Sequence, residues 1–193
     1  MVHGLVLPLR TSRLVLRDFR ADDRDAIYAY ASDPEVTRYM FYGPRTKAAT
    51  QHYLSHMLAT QTEIPRMTWE LAIVLQGQDR PIGACDLTLE NEREGDLGYI
   101  LGRETWGYGF ATEVATALVE IGFQQLGLAR IFAICDVHHT ASAHVLEKAG
   151  LARTATLERY REAKGRWWDM YLYELKRSDW LKAIPQTTCR RLS

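Results

Sequence analysis

The chain has little cysteine, no excess charge of either sign, no long hydrophobic run and no flexible linker, and each absence removes a class of protein. Its three cysteines, Cys85, Cys135 and Cys189, are odd in number, widely separated and outside any CxxC or HxxxH spacing. Neither a disulfide framework nor a metal site is expected, and reduced thiols fit a cytoplasmic location. Lysine plus arginine equals aspartate plus glutamate at 24 each. Such a chain has no global field to draw it to nucleic acid or to an acidic membrane, so neither is expected as a partner. No apolar stretch approaches the ~18–20 residues of a spanning helix, and Met1-Val2-His3-Gly4 lacks the charged start and apolar core of a secretion signal. No Gly/Ser/Pro-rich divider interrupts the sequence, and there is no internal repeat. With 47% apolar residues, the reading is one domain over residues 1–184 and a polar tail over 185–193. The partner left by these exclusions is a small molecule or a local peptide segment.

What is present alternates between strand and helix patterns. Arg13-Leu14-Val15-Leu16-Arg17 alternates as an opening strand, and Asp22 and Asp23 supply acidic caps for a helix through Ile27, Tyr28 and Tyr30 that stops by Asp33-Pro34. A second helix is predicted from Thr46 to Leu58, after the turn signal Gly43-Pro44, and the two together read as a lid over one end of a sheet. Strands over 68–75 and 82–89, joined by a polar turn around Gln76-Gly77-Gln78-Asp79, precede a third strand, and three consecutive antiparallel strands is the economical topology. Residues 129–136 form a nearly continuous apolar strand, suited to burial on both faces and to a parallel neighbour. A short helix from Thr140 to Ala149 places Ser142, Val145, Leu146 and Ala149 on one inward face. An arm around Leu157, a turn at Lys164-Gly165-Arg166 and an aromatic strand over 168–175 follow.

The third strand leads into the most informative stretch. Asp96-Leu97-Gly98-Tyr99-Ile100-Leu101-Gly102 is followed by Arg103-Glu104-Thr105, then by Trp106-Gly107-Tyr108-Gly109-Phe110-Ala111-Thr112-Glu113. This reads as strand, glycine-bearing turn and helix start. The first amides of such a helix have no internal partner and lie at its positive end, and two glycines let a ligand approach the main chain, so the junction is an anion site suited to phosphate. Val114, Leu118, Ile121 and Gln125 continue the helix at four- and three-residue steps.

These residues carry a family resemblance. Thr11-Ser12-Arg13-Leu14-Val15-Leu16-Arg17, Asp33-Pro34-Glu35-Val36, Gly98-Tyr99, the run from Trp106 to Glu113, Ser142 with Val145-Leu146-Glu147-Lys148-Ala149-Gly150-Leu151, and Gly165-Arg166-Trp167-Trp168-Asp169 occur in family order over roughly residues 7–180. The chain resembles the Gcn5-related N-acetyltransferase (GNAT) superfamily, and within it the branch of bacterial ribosomal-protein N-terminal acetyltransferases. The resemblance implies an α/β (α+β) fold, with a central mixed, mostly antiparallel sheet, splayed at an acetyl-CoA site and flanked by helices on both faces. It implies transfer of an acetyl group from acetyl-CoA to an amine, with no metal. Trp106, Gly107, Tyr108, Gly109, Phe110, Ala111 and Thr112 would cradle the pyrophosphate. Tyr99, Ile100 and Leu101 would meet the pantetheine arm through their main chain, and His139, Ser142 and Lys148 complete the coenzyme contacts. Ser142 would protonate the departing thiolate or orient the sulfur.

The acceptor side is less defined. A general base is sought at Asp96 or Glu162, with Glu70 a third candidate. The acceptor is expected to be a peptide N-terminal α-amine, which needs a slot open at both ends, or a small-molecule amine, which needs a closed and often acidic pocket. Two departures from the family pattern stand out. His139 occupies the place of an asparagine three residues before the serine, and Glu104 that of the arginine or glutamine opening the phosphate motif. The first keeps in play a non-catalytic acyl-CoA sensor or partner-binding module. Glu113 reads as a complement to the helix dipole, His138 as a loop residue, and the Trp167-Trp168 pair as core or as part of a homodimer interface.

Overall fold

The structure, a computed structural model, describes residues 4–183. Two short N-terminal strands, β1 (Leu9–Arg10) and β2 (Leu14–Arg17), lead into a 3₁₀ turn over Ala21–Asp23 and helix α1 (Arg24–Ala31). Helix α2 (Lys47–Thr60) starts where the sequence predicts it, with the Thr46 side chain accepting from the Ala49 amide at 3.1 Å. β3 (Thr68–Leu75), β4 (Pro81–Asn91) and β5 (Glu94–Leu101) follow as consecutive antiparallel strands. Helix α3 (Phe110–Gln124), strand β6 (Arg130–Asp136) and helix α4 (Thr140–Lys148) come next, then β7 (Ala152–Ala163), β8 (Arg166–Lys176) and α5 (Arg177–Ala183).

All eight strands share one sheet in the order β1-β2-β3-β4-β5-β6-β8-β7, with β5 and β6 its single parallel pair. Alternation along the strands divides the side chains between two faces. Leu71, Ile73, Leu87, Leu97 and Ile131 pack with Val114, Leu118 and Phe123 of α3. Ala72, Val74 and Ala84 pack on the other side with Ile27 and Tyr30 of α1 and Leu54 and Met57 of α2. The expected lid is therefore real, and helices cover both faces.

The pairing of β5 and β6 is short. Only Glu94, Gly95 and Asp96 pair with β6, opposite Arg130, Ile131 and Phe132. β6 keeps its full length against β8 instead, from Arg130↔Lys176 to Asp136↔Met170. The two central strands diverge beyond Asp96, and the gap between them is the splay expected from the sequence.

Two features differ from expectation. The arm around Leu157 is a 12-residue edge strand, β7, paired with β8 through a hairpin at Lys164-Gly165. α5 was not anticipated; it returns Trp180 to within 5.3 Å of the Phe123 ring. The tail expected at 185–193 lies outside the described residues, and no helix among the described residues is long and apolar enough to cross a membrane.

The α1/α2 lid is tied to the sheet by a buried ion pair. Arg17 Nη1 and Nη2 donate to Asp23 at 2.7 and 2.9 Å, and Nη2 also donates to the Asp79 carbonyl at 2.8 Å. Removing one partner of a buried pair strands the other charge, which costs about 3–5 kcal/mol. Asp23→Ala should lower unfolding stability by that amount in chemical denaturation while leaving coenzyme A affinity nearly unchanged.

Candidate active site

The gap between β5 and β6 opens into a cleft of about 560 Å³ lined by Tyr99, Ile100 and Leu101, by residues 105–107 and 109–112, and by α4 residues including Ser142 and Lys148. Main-chain groups alternate in direction along a strand. Gly102 donates to the Ile82 carbonyl at 2.8 Å, so the main-chain groups of Ile100 and Gly98 also face β4, and those of Leu97, Tyr99 and Leu101 face the gap. Of the three main-chain contacts expected on this strand, Tyr99 and Leu101 are placed to make theirs and Ile100 is not. The Leu101 carbonyl is already engaged by the Trp106 indole at 2.9 Å, which leaves its N–H.

The loop entering α3 has the form an anion cradle requires. Gly107 and Gly109 adopt φ of 83° and 80°, a region that side chains disfavour. Gly109 is the N-cap of α3 with no side-chain cap, so the amides of Phe110, Ala111 and Thr112 are free for a ligand. Tyr108 is the one residue between 105 and 112 that does not line the cleft; its ring stacks on Phe110 at 5.7 Å. Lys148 adds a cation at the opposite wall.

Glu113 does more than complement the dipole. It accepts from the Thr11 and Ser12 hydroxyls at 2.5 and 2.8 Å and from the Arg13 amide and Nε at 2.8 and 2.7 Å. Burial would raise its pKa, but these donors outweigh it and hold the carboxyl at about 2. Arg13 Nη1 donates to the Tyr108 carbonyl at 2.8 Å, and the guanidinium lies 4.7 Å from the Phe110 ring centroid. The opening strand thus clamps the cradle from behind. Sequence reading assigned Arg13 no such role, because the contact joins residues about 100 positions apart.

Ser142 sits in the first turn of α4. Its hydroxyl lies 2.9 Å from that of Tyr99, either being able to donate. Burial pushes the Tyr99 phenol up, so it stays protonated. His139 is the N-cap of α4, its Nδ1 accepting from the Ser142 amide at 3.4 Å. The ring stacks on Tyr39 at 4.3 Å, and burial lowers its pKa. A neutral imidazole accepting at Nδ1 carries its proton on Nε2. His139 therefore keeps the capping function that its asparagine counterpart could also serve. His138 is exposed, its amide donating to Asp136 at 2.8 Å.

A second cavity, of about 390 Å³, meets the first at Tyr39, Met40, Tyr99, Ile100, His139 and Ser142. It runs under the lid, and its floor carries Glu70 and Asp86. Strand register brings these together: Glu70 is opposite Asp86, and Asp86 opposite Gly98. A Cβ at Gly98 would lie 2.4 Å from Asp86 Oδ1, so the carboxylate rests directly on the motif strand beside the gap. Asp86 has no hydrogen bond or ion pair among the described residues; Glu70 accepts from the Tyr53 hydroxyl. Burial raises Asp86 to about 6, and burial followed by the charge of Asp86 raises Glu70 to about 8, with Arg45 opposing.

Asp96 and Glu162 line neither cavity. Asp96 occupies the last bonded rung of β5 and β6, where burial and then Asp86 and Glu90 raise it to about 7. Glu162 is exposed on β7, opposite Trp167. Asp86 is not among the candidates the sequence offers for the base, although a lone carboxylate in the apolar strand from Ile82 to Leu89 is a usable signal. Trp168 is core, while Trp167 is about half exposed.

Comparisons with known proteins agree with this arrangement. The model of the family described as Acetyltransferase (GNAT) domain matches residues 13–152. The uncharacterized N-acetyltransferase p20 of Bacillus licheniformis is 33% identical over 174 residues, 89% of this chain and 97% of its own. Spermidine N-acetyltransferase from Vibrio cholerae, solved with CoA and spermine, superposes with a TM-score of 0.75 at 20% identity over 88% of this chain and 99% of its own. RimL, a ribosomal alpha-N-protein acetyltransferase solved with coenzyme A, gives a TM-score of 0.76 at 15% identity over 88% and 97%. These two structures establish the fold, and their differing acceptors mean that this chain's own pocket has to define its substrate.

Two outcomes are expected. Gly109→Asp places a side chain at a left-handed position and a carboxylate among the cradle amides, and should weaken coenzyme A binding by about a hundredfold or more in calorimetry; unchanged affinity would remove the cradle. Glu70 has a folded pKa of about 8 against an ordinary 4.5, so its contribution to stability is complete below pH 4.5 and is lost as pH rises through about 8. The melting temperature of the ligand-free Glu70→Gln variant should therefore fall less than wild type across that window.

Proposed function

The chain belongs to the GNAT acetyltransferase family, and from that premise we propose that it transfers the acetyl group of acetyl-CoA directly to a small-molecule primary amine held over Asp86. The observation that carries this reading is the meeting of two cavities at Ser142 and Tyr99. One has the cradle and strand edge for an acyl-CoA, the other a carboxylate floor for an amine.

The residues divide the work. Amides at the start of α3 and Lys148 hold the phosphates, and the gap-facing groups of Tyr99 and Leu101 receive the pantetheine arm as an added strand. A strand N–H directed at the thioester carbonyl stabilises the oxyanion that forms when the amine nitrogen attacks. Asp86 accepts the proton that frees the amine lone pair, directly or through water; as the C–N bond forms and the C–S bond breaks, the Ser142 hydroxyl, backed by Tyr99, protonates the departing thiolate and regains a proton through water from the one the attacking nitrogen sheds.

Support for a small acceptor over an extended peptide comes from the pocket's outer wall. Phe41 packs edge-on against Trp168 at 5.6 Å, Arg161 lies 4.9 Å from the Phe41 ring centroid, and Lys164 Nζ donates to the Thr37 carbonyl at 2.7 Å. The β7–β8 hairpin and the loop after α1 therefore close on each other beside Phe41, a residue of the cavity wall, which leaves less room for an extended chain on that side.

An acetyl-CoA consumption screen over small amines and free N-terminal peptides tests the reading. Small amines should be acetylated and peptides spared. Asp86→Asn should lower kcat/KM by about 10²–10⁴-fold and remove the acid limb of its pH profile near 6, since the base works only when ionised. Ser142→Ala should lower kcat with little effect on acetyl-CoA affinity. Tight acetyl-CoA binding without consumption by any amine would favour a non-catalytic acyl-CoA sensor.

A further inference from the structure

The acceptor pocket holds more acid than one reacting amine needs. Asp86 lies at its inner end, against Gly98 and the gap, and serves the proton transfer. Glu70 lies one strand farther away on β3, about 4.8 Å across the sheet, beneath α1 and α2 and remote from the acyl group. Its only hydrogen-bond partner among the described residues is the Tyr53 hydroxyl. Beside it is Tyr30, 5% exposed, lining the same cavity with a hydroxyl that has no partner among the described residues.

The nearest cation does not neutralise this end. Arg45 stacks against Tyr53 at 3.9 Å and Tyr42 at 4.5 Å, and no carboxylate of the described residues lies within 4.0 Å of its guanidinium. Glu70 and Asp86 thus face one guanidinium, in a pocket walled by the rings of Tyr30, Tyr42 and Tyr53, and a cation bound beside Glu70 favours the carboxylate over the neutral acid that burial favours in the empty pocket. A carboxylate without a full set of partners and a buried hydroxyl with none both gain from a ligand that supplies N–H donors and positive charge, and aromatic walls favour the same cation.

We propose that Glu70 and the Tyr30 hydroxyl form a recognition site for a second, protonated amino group of the acceptor, so that the preferred acceptors are compact diamines. The inference rests on the acetyl-transfer reading for its use but not for its existence. The diamine enters with one nitrogen at Asp86, which loses its proton and reacts, and the other at Glu70, which stays charged and fixes the molecule's direction. A monoamine of equal length reaches only the first.

Steady-state kinetics with diaminobutane, butylamine and aminobutyrate test this. Wild type should prefer diaminobutane over butylamine by about tenfold to a hundredfold in kcat/KM, the range for a hydrogen bond to a charged group. Glu70→Gln should bring that ratio to about one, mainly through KM, and Tyr30→Phe, which removes only the hydroxyl, should reduce it by a few-fold. Equal use of butylamine, or a preference that survives Glu70→Gln, overturns the proposal. Superior turnover of aminobutyrate also overturns it and assigns the subsite to Arg45 and an anion. If no amine is acetylated, the transfer reading fails, and calorimetry of diaminobutane on the coenzyme A-bound protein decides the subsite separately. Binding that disappears in Glu70→Gln supports it, and absence of binding refutes it.

Discussion

The site depends on one constraint in the sheet: β5 has two partners for three residues and then only one. Up to Asp96 it is held by β4 and β6; from Leu97 to Leu101 β4 alone remains. Apart from the Leu101 carbonyl, which the Trp106 indole engages, the outward-facing main-chain groups on that half have no partner among the described residues, at the centre of a sheet where unpaired groups are unfavourable. An extended ligand arm that completes the ladder is therefore recognised by the backbone itself. The side chains of Tyr99 and Ile100 are then free to point to opposite faces, one toward Ser142 and the other toward the lid.

The divergence is maintained by what flanks it. β6 is committed along its whole length to β8, and α4 starts directly after β6 with His139 capping it. On the other side, the Glu113 clamp to residues 11–13 holds the start of α3 against the opening strand. The cleft at this end is lined by the start of α3, whose first amides have no helical partner, and by a lysine. The acceptor end under the lid is acidic. Under the proposed reading, a polyanionic donor and a cationic acceptor would be sorted between the two cavities by charge before any finer contact is made.

The two ends differ in how much of them is legible in the sequence, for a physical reason. The cradle is local: Gly107, Gly109 and the first turn of α3 lie within a few residues, so their spacing suffices. The same holds for the three antiparallel strands and the parallel β6, whose patterns are strongly apolar. β7 escaped because it is an exposed edge bearing Arg153, Glu158, Arg159, Arg161 and Glu162, with no apolar alternation, and its pairing is imposed by β8. α5 is too short to show a period. The acceptor floor depends on register across three strands. Glu70 reads as one carboxylate among several, and a hairpin turning at Gln76–Asp79 would by itself set Glu70 opposite Cys85; the register shift between Ile73 and Val74, which the sequence pattern does not show, brings Asp86 opposite it instead. Asp96 and Glu162 were plausible by position in the chain, but the register sends one to the closed rung of the sheet and the other to its rim.

Gly98 ties the two ends together. In the sequence it reads as part of the coenzyme motif, next to Tyr99, yet its main chain faces β4 and its missing side chain opens no space on the donor side. The atom that would meet a Cβ there is Asp86 Oδ1, at 2.4 Å. The glycine is therefore required by the acceptor carboxylate. Any side chain at position 98 would displace Asp86 from the edge of the gap, and with it the group proposed to take the amine's proton. In the proposed reaction, adjacent residues of one strand would bring donor and acceptor together, Tyr99 on the side of Ser142 and Gly98 admitting the carboxylate. On the proposed reading, a stretch that resembles a coenzyme motif thus also shapes the acceptor side.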